Sequence, residues 1–464
     1  MRNRISLFLL AVCLLLAACG PAAQPEPETA PAPAVEASAP EEIPATEEPA
    51  EPEESELSER DQNWISDIHY LQYNYKMYHM DPFYLCPEEE FDWKIDQLCK
   101  KVSSLSDNDM FFELSAIIAG MGDIHTVVLP PDSLYDYRFP IDVQYFDDKL
   151  YLWYYLEGYE QFEPYLMREI VAVNGVDITY LERKFESFID PNNIWHSREM
   201  FWRNYFIPAF FDWAGCGYQD GYTFQILDEN QRVQSVEVPV VSYEEYDAAP
   251  AVFPEVWSVP SDEKAEEGNW AAYREGENGG YVYMLLCEVS NLRESLYREL
   301  FEKAAGLLEA HPDCRKLVID LRSNPGGSAM VLDYLRKNLH ILEALSIDQT
   351  YVLIGGYSMS AATDCISMFK EALNAITVGE PAGQFTSFFC RSTTGMKFTL
   401  PLSQISVPVS DVWFEGSDPA EAAYDENGRL YEWENTILPD VYVYQDIEDI
   451  RQGRSTILEW VLAQ

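Results

Sequence analysis

A serine at a strand-to-helix turn is the strongest candidate for chemistry in this sequence. Ser360 follows an apolar stretch, residues 351–354, and the pair Gly355-Gly356, and it precedes apolar residues at helical spacing. We therefore expect it at the start of a helix, where unpaired backbone N–H groups favour negative charge that develops on a substrate. Ser360 could thus act as a nucleophile, or Ser358 or Ser360 could be only a helix N-cap.

Nucleophilic acyl transfer also needs a base and N–H groups that stabilise the oxyanion. The segment Gly-Met-Gly-Asp-Ile-His-Thr, residues 120–126, places His125 after a helix and a glycine turn, at a surface cleft; the alternative is a structural histidine. Gly326 and Gly327 follow Asn324-Pro325 and would let a backbone amide approach the substrate oxygen. The N–H of Ala361, directly after Ser360, would be the second donor.

The elements that must position these residues alternate between strand and helix. The expected order is strand 317–321, helix 328–345, strand 351–354, helix 360–374 and strand 376–379. This order predicts a parallel α/β sheet, whose sites form where strand ends meet helix N-termini. We assign residues 268–464 to this α/β core.

Two further regions precede the core. In residues 58–132, apolar side chains recur at helical spacing, and this region carries His125. Residues 135–240 alternate in polarity like strands, with a Val-Asn-Gly turn at residues 173–175 and then helices at 180–189 and 194–213. The second region is either a ligand-binding module or a β-rich packing domain without a ligand.

Several spaced motifs resemble the C-terminal processing, or tail-specific, serine protease family. They are GDIHT, LVIDLRSNPGGS, YSMSAATD, TVGEPAG and the closing ILPDVYVYQDIEDIRQGRSTILEWVL. The resemblance covers most of residues 60–464. It implies an α/β core of the crotonase-like type with a PDZ-like module at 135–240, although no Gly-Leu-Gly-Phe-type carboxylate-binding loop is evident there.

The resemblance also implies an activity, serine-type endopeptidase, with peptide or protein substrates, Ser360 as nucleophile, and neither a metal nor an organic cofactor. The lysine base of one branch is absent, since Phe385 occupies its position; Lys397 is a displaced alternative. His125 matches the branch that resembles the tricorn core protease. A neutral imidazole at pH 7 is also the readier base.

That branch places an orienting glutamate before the final Pro-Asp pair, which indicates Glu434. Glu432 and the neighbourhood of Asp418 are the alternatives, and this acidic stretch could instead be a solvated loop. The departures from the family pattern leave a second hypothesis open: a catalytically inactive lipoprotein that binds peptides or proteins on the same fold.

The N-terminus indicates export and anchoring. Residues 1–18 read as a signal peptide that ends in a lipobox-like Leu-Ala-Ala before Cys19, which would carry the lipid outside the cytoplasm. Residues 19–57 are rich in proline and glutamate and predict a disordered tether. The net charge of −48 argues against nucleic acid and anionic lipid headgroups as partners. Cys86 and Cys99 are a candidate disulfide, and the sequence indicates no oligomeric state.

Overall fold

The computed structural model describes residues 57–217, 221–254, 268–275, 279–314, 316–345, 347–392, 395–415 and 436–464. Residues 1–56, with Cys19, the predicted signal peptide and nearly all of the predicted tether, lie outside this described part. So do Asp418, Glu432 and Glu434.

Three helices form the N-terminal region: α1 (Glu59–Tyr78), α2 (Glu88–Lys101) and α3 (Asp107–Ala119). Ser106 caps α3 in a reciprocal capping box with Asp109, which satisfies two backbone N–H groups at its start. Phe111, Phe112 and Leu114 of α3 are fully buried. The loop that carries His125 therefore begins at the end of a firmly packed helix.

The second region contains strands and short helices. They are β1 (Tyr137–Arg138), β2 (Ile141–Phe146), β3 (Lys149–Leu156), β4 (Ile170–Val173), β5 (Val176–Asp177), α4 (Ile178–Ile189), α5 (Ile194–Met200), α6 (Pro208–Trp213), β6 (Tyr222–Leu227), β7 (Val233–Val238), β8 (Val241–Ser242), α7 (Tyr243–Ala248) and β9 (Ala251–Val252). Asn174 and Gly175, both at positive φ, join β4 to β5, which confirms the predicted Asn-Gly hairpin.

The prediction of a single helix over 194–213 was wrong. A π-helical turn, Phe201–Tyr205, follows α5, and α6 starts afresh at Pro208. Proline lacks the N–H that a continuous helix needs at this position, but it suits the first turn of a new one.

The third region is built around one six-stranded sheet. Its elements and their neighbours are β10 (Trp270–Arg274), β11 (Tyr281–Leu285), α8 (Glu294–Ala310), β12 (Lys316–Asp320), α9 (Ala329–Asn338), α10 (His340–Glu343), β13 (Gln349–Ile354), α11 (Ala361–Leu373), β14 (Ile376–Gly379), β15 (Phe388–Cys390), β16 (Lys397–Thr399), β17 (Ser406–Pro408), β18 (Val412–Phe414), β19 (Val441–Tyr442), α12 (Ile447–Arg451) and α13 (Thr456–Ala463).

The strand order is β10-β11-β12-β13-β14-β19, and every neighbouring pair from β11 onward is parallel. The predicted parallel βαβ arrangement is thus confirmed. The predicted helix over 328–345 is instead two helices that divide at Leu339.

Helices cover both faces of this sheet. Val352 and Ile354 of β13 pack with α8, α9 and α11, whereas Tyr351 and Leu353 pack with α13 on the opposite face. A strand buried on both faces is held in one register, because a slip would exchange the two sets of side chains. The turn that leads from β13 to Ser360 is therefore fixed in position.

The cysteines of the described part are free thiols, so the candidate disulfide between Cys86 and Cys99 does not form. Cys86 lies against the carbonyl of Pro87, and Cys99 contacts His69. Among the described residues, no helix combines the length and the apolar content needed to cross a lipid bilayer.

Candidate active site

Ser360 adopts a strained backbone at the N-terminus of α11. Its φ is +53° and its ψ −131°, a region that residues other than glycine rarely occupy. Its side chain does not cap the helix, and Ser360 Oγ has no hydrogen-bond partner in the described part of the chain. Ser358 Oγ, in contrast, donates to the carbonyl of Leu321 at 2.8 Å and accepts from the N–H of Gly355. Ser358 is thus structural, and Ser360 is the serine with an unengaged hydroxyl.

The glycine turn after β12 packs directly against Ser360. Gly326 has φ +95°, and a Cβ at this position would lie 2.6 Å from Ser360 Cβ and 2.8 Å from the backbone nitrogen of Ala361. The N–H of Gly326 donates to Asn324 Oδ1 at 2.8 Å, so it is already engaged. The N–H groups of Gly327 and Ala361 make no hydrogen bond within the described residues. Of the three predicted oxyanion residues, these two retain a donor to offer.

His125 is held in place through its backbone. Its N–H donates to Asp123 Oδ1 at 2.9 Å, while Asp123 Oδ2 accepts from Thr126 Oγ1 at 2.6 Å and lies 3.0 Å from His79 Nε2. Ser410 N–H donates in turn to Thr126 Oγ1. The aspartate of the Gly-Asp-Ile-His-Thr motif is therefore a buried anchor for the histidine loop.

The His125 ring is stacked on Phe388, with 5.1 Å between ring centroids and an angle of 17° between the planes. Burial lowers the pKa of His125 to about 4; the positive charges of Arg391 and His196 act in the same direction, and the negative charge of Asp123 opposes them. Within the described residues His125 Nε2 is buried without a hydrogen-bond partner. The ring is accordingly neutral at pH 7.

Gln384 links the serine to the histidine, and sequence reasoning missed it. Its Oε1 accepts from the Ser360 N–H at 2.8 Å, and its Nε2 lies 3.4 Å from His125 Nδ1. An N–H must point at an oxygen, so the amide nitrogen is the atom that faces His125. The available signal was its place beside Phe385, the position at which the family lysine was sought.

Ser360 and His125 lie in one cavity of about 240 Å³. Much of its wall is apolar, with Ile118, Val128, Leu129, Phe188, Ile189 and Met200 among the lining residues. Lys397, the alternative base, is exposed on β16 and does not line the cavity. The structure thus brings Ser360 together with His125, Gly326 and Gly327. No hydrogen bond joins Ser360 Oγ to His125 among the described residues.

The Pro-Asp pair near the C-terminus has a structural role. Asp440 Oδ2 accepts from the backbone N–H and the hydroxyl of Thr377, and Asp440 Oδ1 pairs with Lys370 at 2.8 Å. Asp440 therefore fastens the segment before β19 to β14. The predicted third residue, Glu434, and its alternatives Glu432 and Asp418 lie outside the described residues.

Solved structures are similar to this fold, although no match was found by sequence. No protein-family model matches the sequence, and no curated protein matches it. Mature CPAF complexed with lactacystin is 12% identical and has a TM-score of 0.56, covering 87% of this chain and 97% of its own. A second structure of mature CPAF has a TM-score of 0.54 at 12% identity, with 87% and 96% covered.

The photosystem II D1 C-terminal processing protease is also similar, at 11% identity over 88% of this chain and 97% of its own, with a lower TM-score of 0.36. These likenesses concern the fold alone. At that level the structural neighbours confirm the resemblance to the C-terminal processing proteases that the sequence motifs indicated.

Proposed function

We propose that this protein is a serine endopeptidase that cleaves peptide bonds through an acyl-enzyme on Ser360, with His125 as the general base. The observation that carries the proposal is the strained turn at Ser360. Its hydroxyl is unengaged, and Gly326 leaves room for close packing of the neighbouring turn. A backbone strain of about 1–3 kcal/mol persists only where the surroundings enforce it, and such strain concentrates at functional sites.

In this reaction Ser360 Oγ attacks the substrate carbonyl carbon, and its proton passes to neutral His125. The N–H groups of Gly327 and Ala361 donate to the oxygen that becomes negative. The C–N bond then breaks to leave an acyl-enzyme, which water hydrolyses. The apolar wall of the cavity favours substrates with an apolar side chain near the cleaved bond.

Glu434 is the residue that we propose to orient His125. Thr436, two residues later in the chain, donates a hydrogen bond from its hydroxyl to the carbonyl of Ala382. Ala382 immediately precedes the Gly383-Gln384 pair that reaches the site. This anchoring supports a place for Glu434 near the histidine.

We further propose that the core around β11–β14 is of the crotonase-like type and that residues 135–240 are a PDZ-like module. The parallel strand order of the core and the hairpin at Asn174-Gly175 support these assignments. As part of this proposal we keep the domain boundaries predicted from the sequence.

The apolar run before Cys19, together with Arg2 and Arg4, supports a lipid-anchored, extracytoplasmic protein. We expect C19S to move the protein from the membrane fraction to the soluble fraction of producing cells. Retention of C19S in the membrane fraction would contradict the anchor.

A fluorophosphonate probe tests the proposed chemistry, because it reports an activated serine without knowledge of the substrate. We expect stoichiometric labelling of the wild type at Ser360, no labelling of S360A and at least a hundredfold slower labelling of H125A. S367A is a matched control, since Ser367 lies on the same helix and only hydrogen-bonds within it. Lactacystin, with which CPAF has been crystallised, is a second probe.

Failure of the folded wild type to react, or full protease activity in S360A, would refute the proposal. Absence of labelling together with tight peptide binding would instead support the inactive, peptide-binding lipoprotein.

A further inference from the structure

A second histidine, outside every motif, lines the same cavity as Ser360 and His125. His196 lies in the first turn of α5, and its N–H donates to Asn193 Oδ1, the N-cap of that helix. Only 4% of the His196 surface is exposed. The cavity therefore contains two imidazoles.

The His196 ring is oriented by a buried carboxylate. His196 Nδ1 lies 3.1 Å from Asp190 Oδ2, and the two side chains are 5% and 3% exposed. His196 lines the cavity and Asp190 does not, and the contact with Asp190 takes Nδ1, so that Nε2 is the ring nitrogen left for a substrate. His196 Nε2 is buried and has no partner within the described residues. A buried nitrogen without a hydrogen bond is unfavourable, and an atom of a bound substrate would satisfy it.

His196 is fastened to the loops that hold the nucleophile. Asn193 Nδ2 donates to the carbonyl of Ala382 at 3.0 Å. A Cβ on Gly383 would lie 3.5 Å from His196 Cβ, and one on Gly356 would lie 2.3 Å from the carbonyl oxygen of Trp195. Gly356 belongs to the turn before Ser360, and Gly383 precedes Gln384. The position of His196 relative to Ser360 is thus set by direct backbone packing.

The two imidazoles have different polar neighbours. His125 is kept neutral by burial, and positive charge on Arg391 and His196 adds to this effect. His196 has the Asp190 carboxylate against Nδ1, which can compensate a positive charge on the ring. The other ionisable groups on the cavity wall include Asp123 and Glu288. His196 is thus held by a carboxylate at Nδ1, whereas His125 faces the amide of Gln384 at its own Nδ1.

We propose that His196, oriented by Asp190, is the general acid of the site, which protonates the leaving amine. This inference rests on the proposed function. In acylation, the Ser360 proton passes to His125, and His196 Nε2–H gives its proton to the amine nitrogen as the C–N bond breaks. In deacylation, His196 Nε2 takes a proton from the attacking water. The bond between the acyl carbon and Ser360 Oγ then breaks, and protonated His125 returns its proton to Ser360. Both histidines end as they began.

The test compares reagents whose leaving groups differ in their need for a proton. Fluoride leaves a fluorophosphonate without a proton, whereas an amine must be protonated. We expect H196N to hydrolyse fluorescein-casein about 10²–10³-fold more slowly than the wild type, while its rate of fluorophosphonate labelling changes less than about threefold. With p-nitrophenyl acetate, H196N should release a rapid burst of one equivalent and then turn over slowly, because deacylation lacks its base.

H340N is the matched control, because His340 is exposed at the start of α10. It should match the wild type in all three assays. D190N serves as a second variant if H196N does not fold. It should likewise hydrolyse casein more slowly while its rate of labelling stays nearly unchanged.

Wild-type casein hydrolysis by folded H196N would overturn the inference and leave the proposed function intact. Equal loss of labelling and hydrolysis would also overturn it, since His196 would then act on Ser360 itself. A wild type that resists labelling would refute the proposed function instead.

Discussion

Ser360 should stay reactive at a pH where an ordinary histidine base has failed. Burial places the pKa of His125 at about 4, against an ordinary value of about 6.5. At pH 5 an imidazole with a pKa of 4 is about 90% neutral, whereas one with a pKa of 6.5 is only about 3% neutral. Because only the neutral ring accepts a proton, labelling at pH 5 should remain close to its rate at pH 7.5, instead of falling about 30-fold.

The assay is the rate of fluorophosphonate labelling between pH 3.5 and 8, with circular dichroism at each pH. The same pKa shift lowers stability in acid: the unfolded chain binds more protons between pH 6.5 and 4, so stability is full above pH 6.5 and falls by about 2 kcal/mol at pH 5. Rates are therefore compared only where the protein stays folded. A labelling midpoint at pH 6 or above in folded protein would refute the assignment of His125 as a buried, neutral base.

The substitution Q384E should shift the pKa of His125 in the opposite direction, upward. It places a carboxylate where the Gln384 amide nitrogen lies 3.4 Å from His125 Nδ1. A negative charge at this distance favours the protonated ring and raises its pKa by about 1–3 units. The labelling midpoint of Q384E should rise accordingly, and an unchanged midpoint would contradict the contact.

Two further predictions concern packing and buried charge. G326A should reduce labelling at least a hundredfold, because its Cβ would overlap Ser360 and the φ of residue 326 is +95°. G306A is the control: a Cβ on this residue of α8 meets open space, so the variant should keep wild-type labelling and gain about 0.5–1 kcal/mol of stability. D364N should stabilise the protein by roughly 2–3 kcal/mol at pH 7.5 and by nearly nothing at pH 3.5, measured by urea unfolding. Burial raises the pKa of Asp364 from an ordinary 3.8 to about 6, so this carboxyl costs the folded state stability increasingly as pH rises from 3.8 to 6. Equal effects of D364N at both pH values would contradict this account.

The sequence predicted the sheet and the turn at Ser360 well because both depend on local signals. Apolar runs bounded by glycine turns predicted strands near their observed bounds, such as β12 (Lys316–Asp320) and β14 (Ile376–Gly379). Buried parallel strands are continuous apolar runs, and a strand, helix and strand order allows few topologies. Ser360 follows directly from that pattern.

The contacts around Ser360 could not be predicted in the same way. Asp190 follows the end of α4 and His196 lies in α5, so no single helical period links the two residues. Their relevance arises only when Asn193 meets Ala382 across the fold. Likewise, the place of Gln384 beside Phe385 indicated only the region, and its role depends on the direction in which its amide points.

The long sequence separations within the site also determine the order in which its residues are synthesised. His125 and Gln384 are 259 residues apart in the chain, and Asn193 and Ala382 are 189 apart. During synthesis both histidines emerge before the serine, and the residue that holds the Ser360 N–H emerges later still. A nascent or truncated chain that ends before Ala382 therefore lacks the contacts that hold Ser360 and both histidines together.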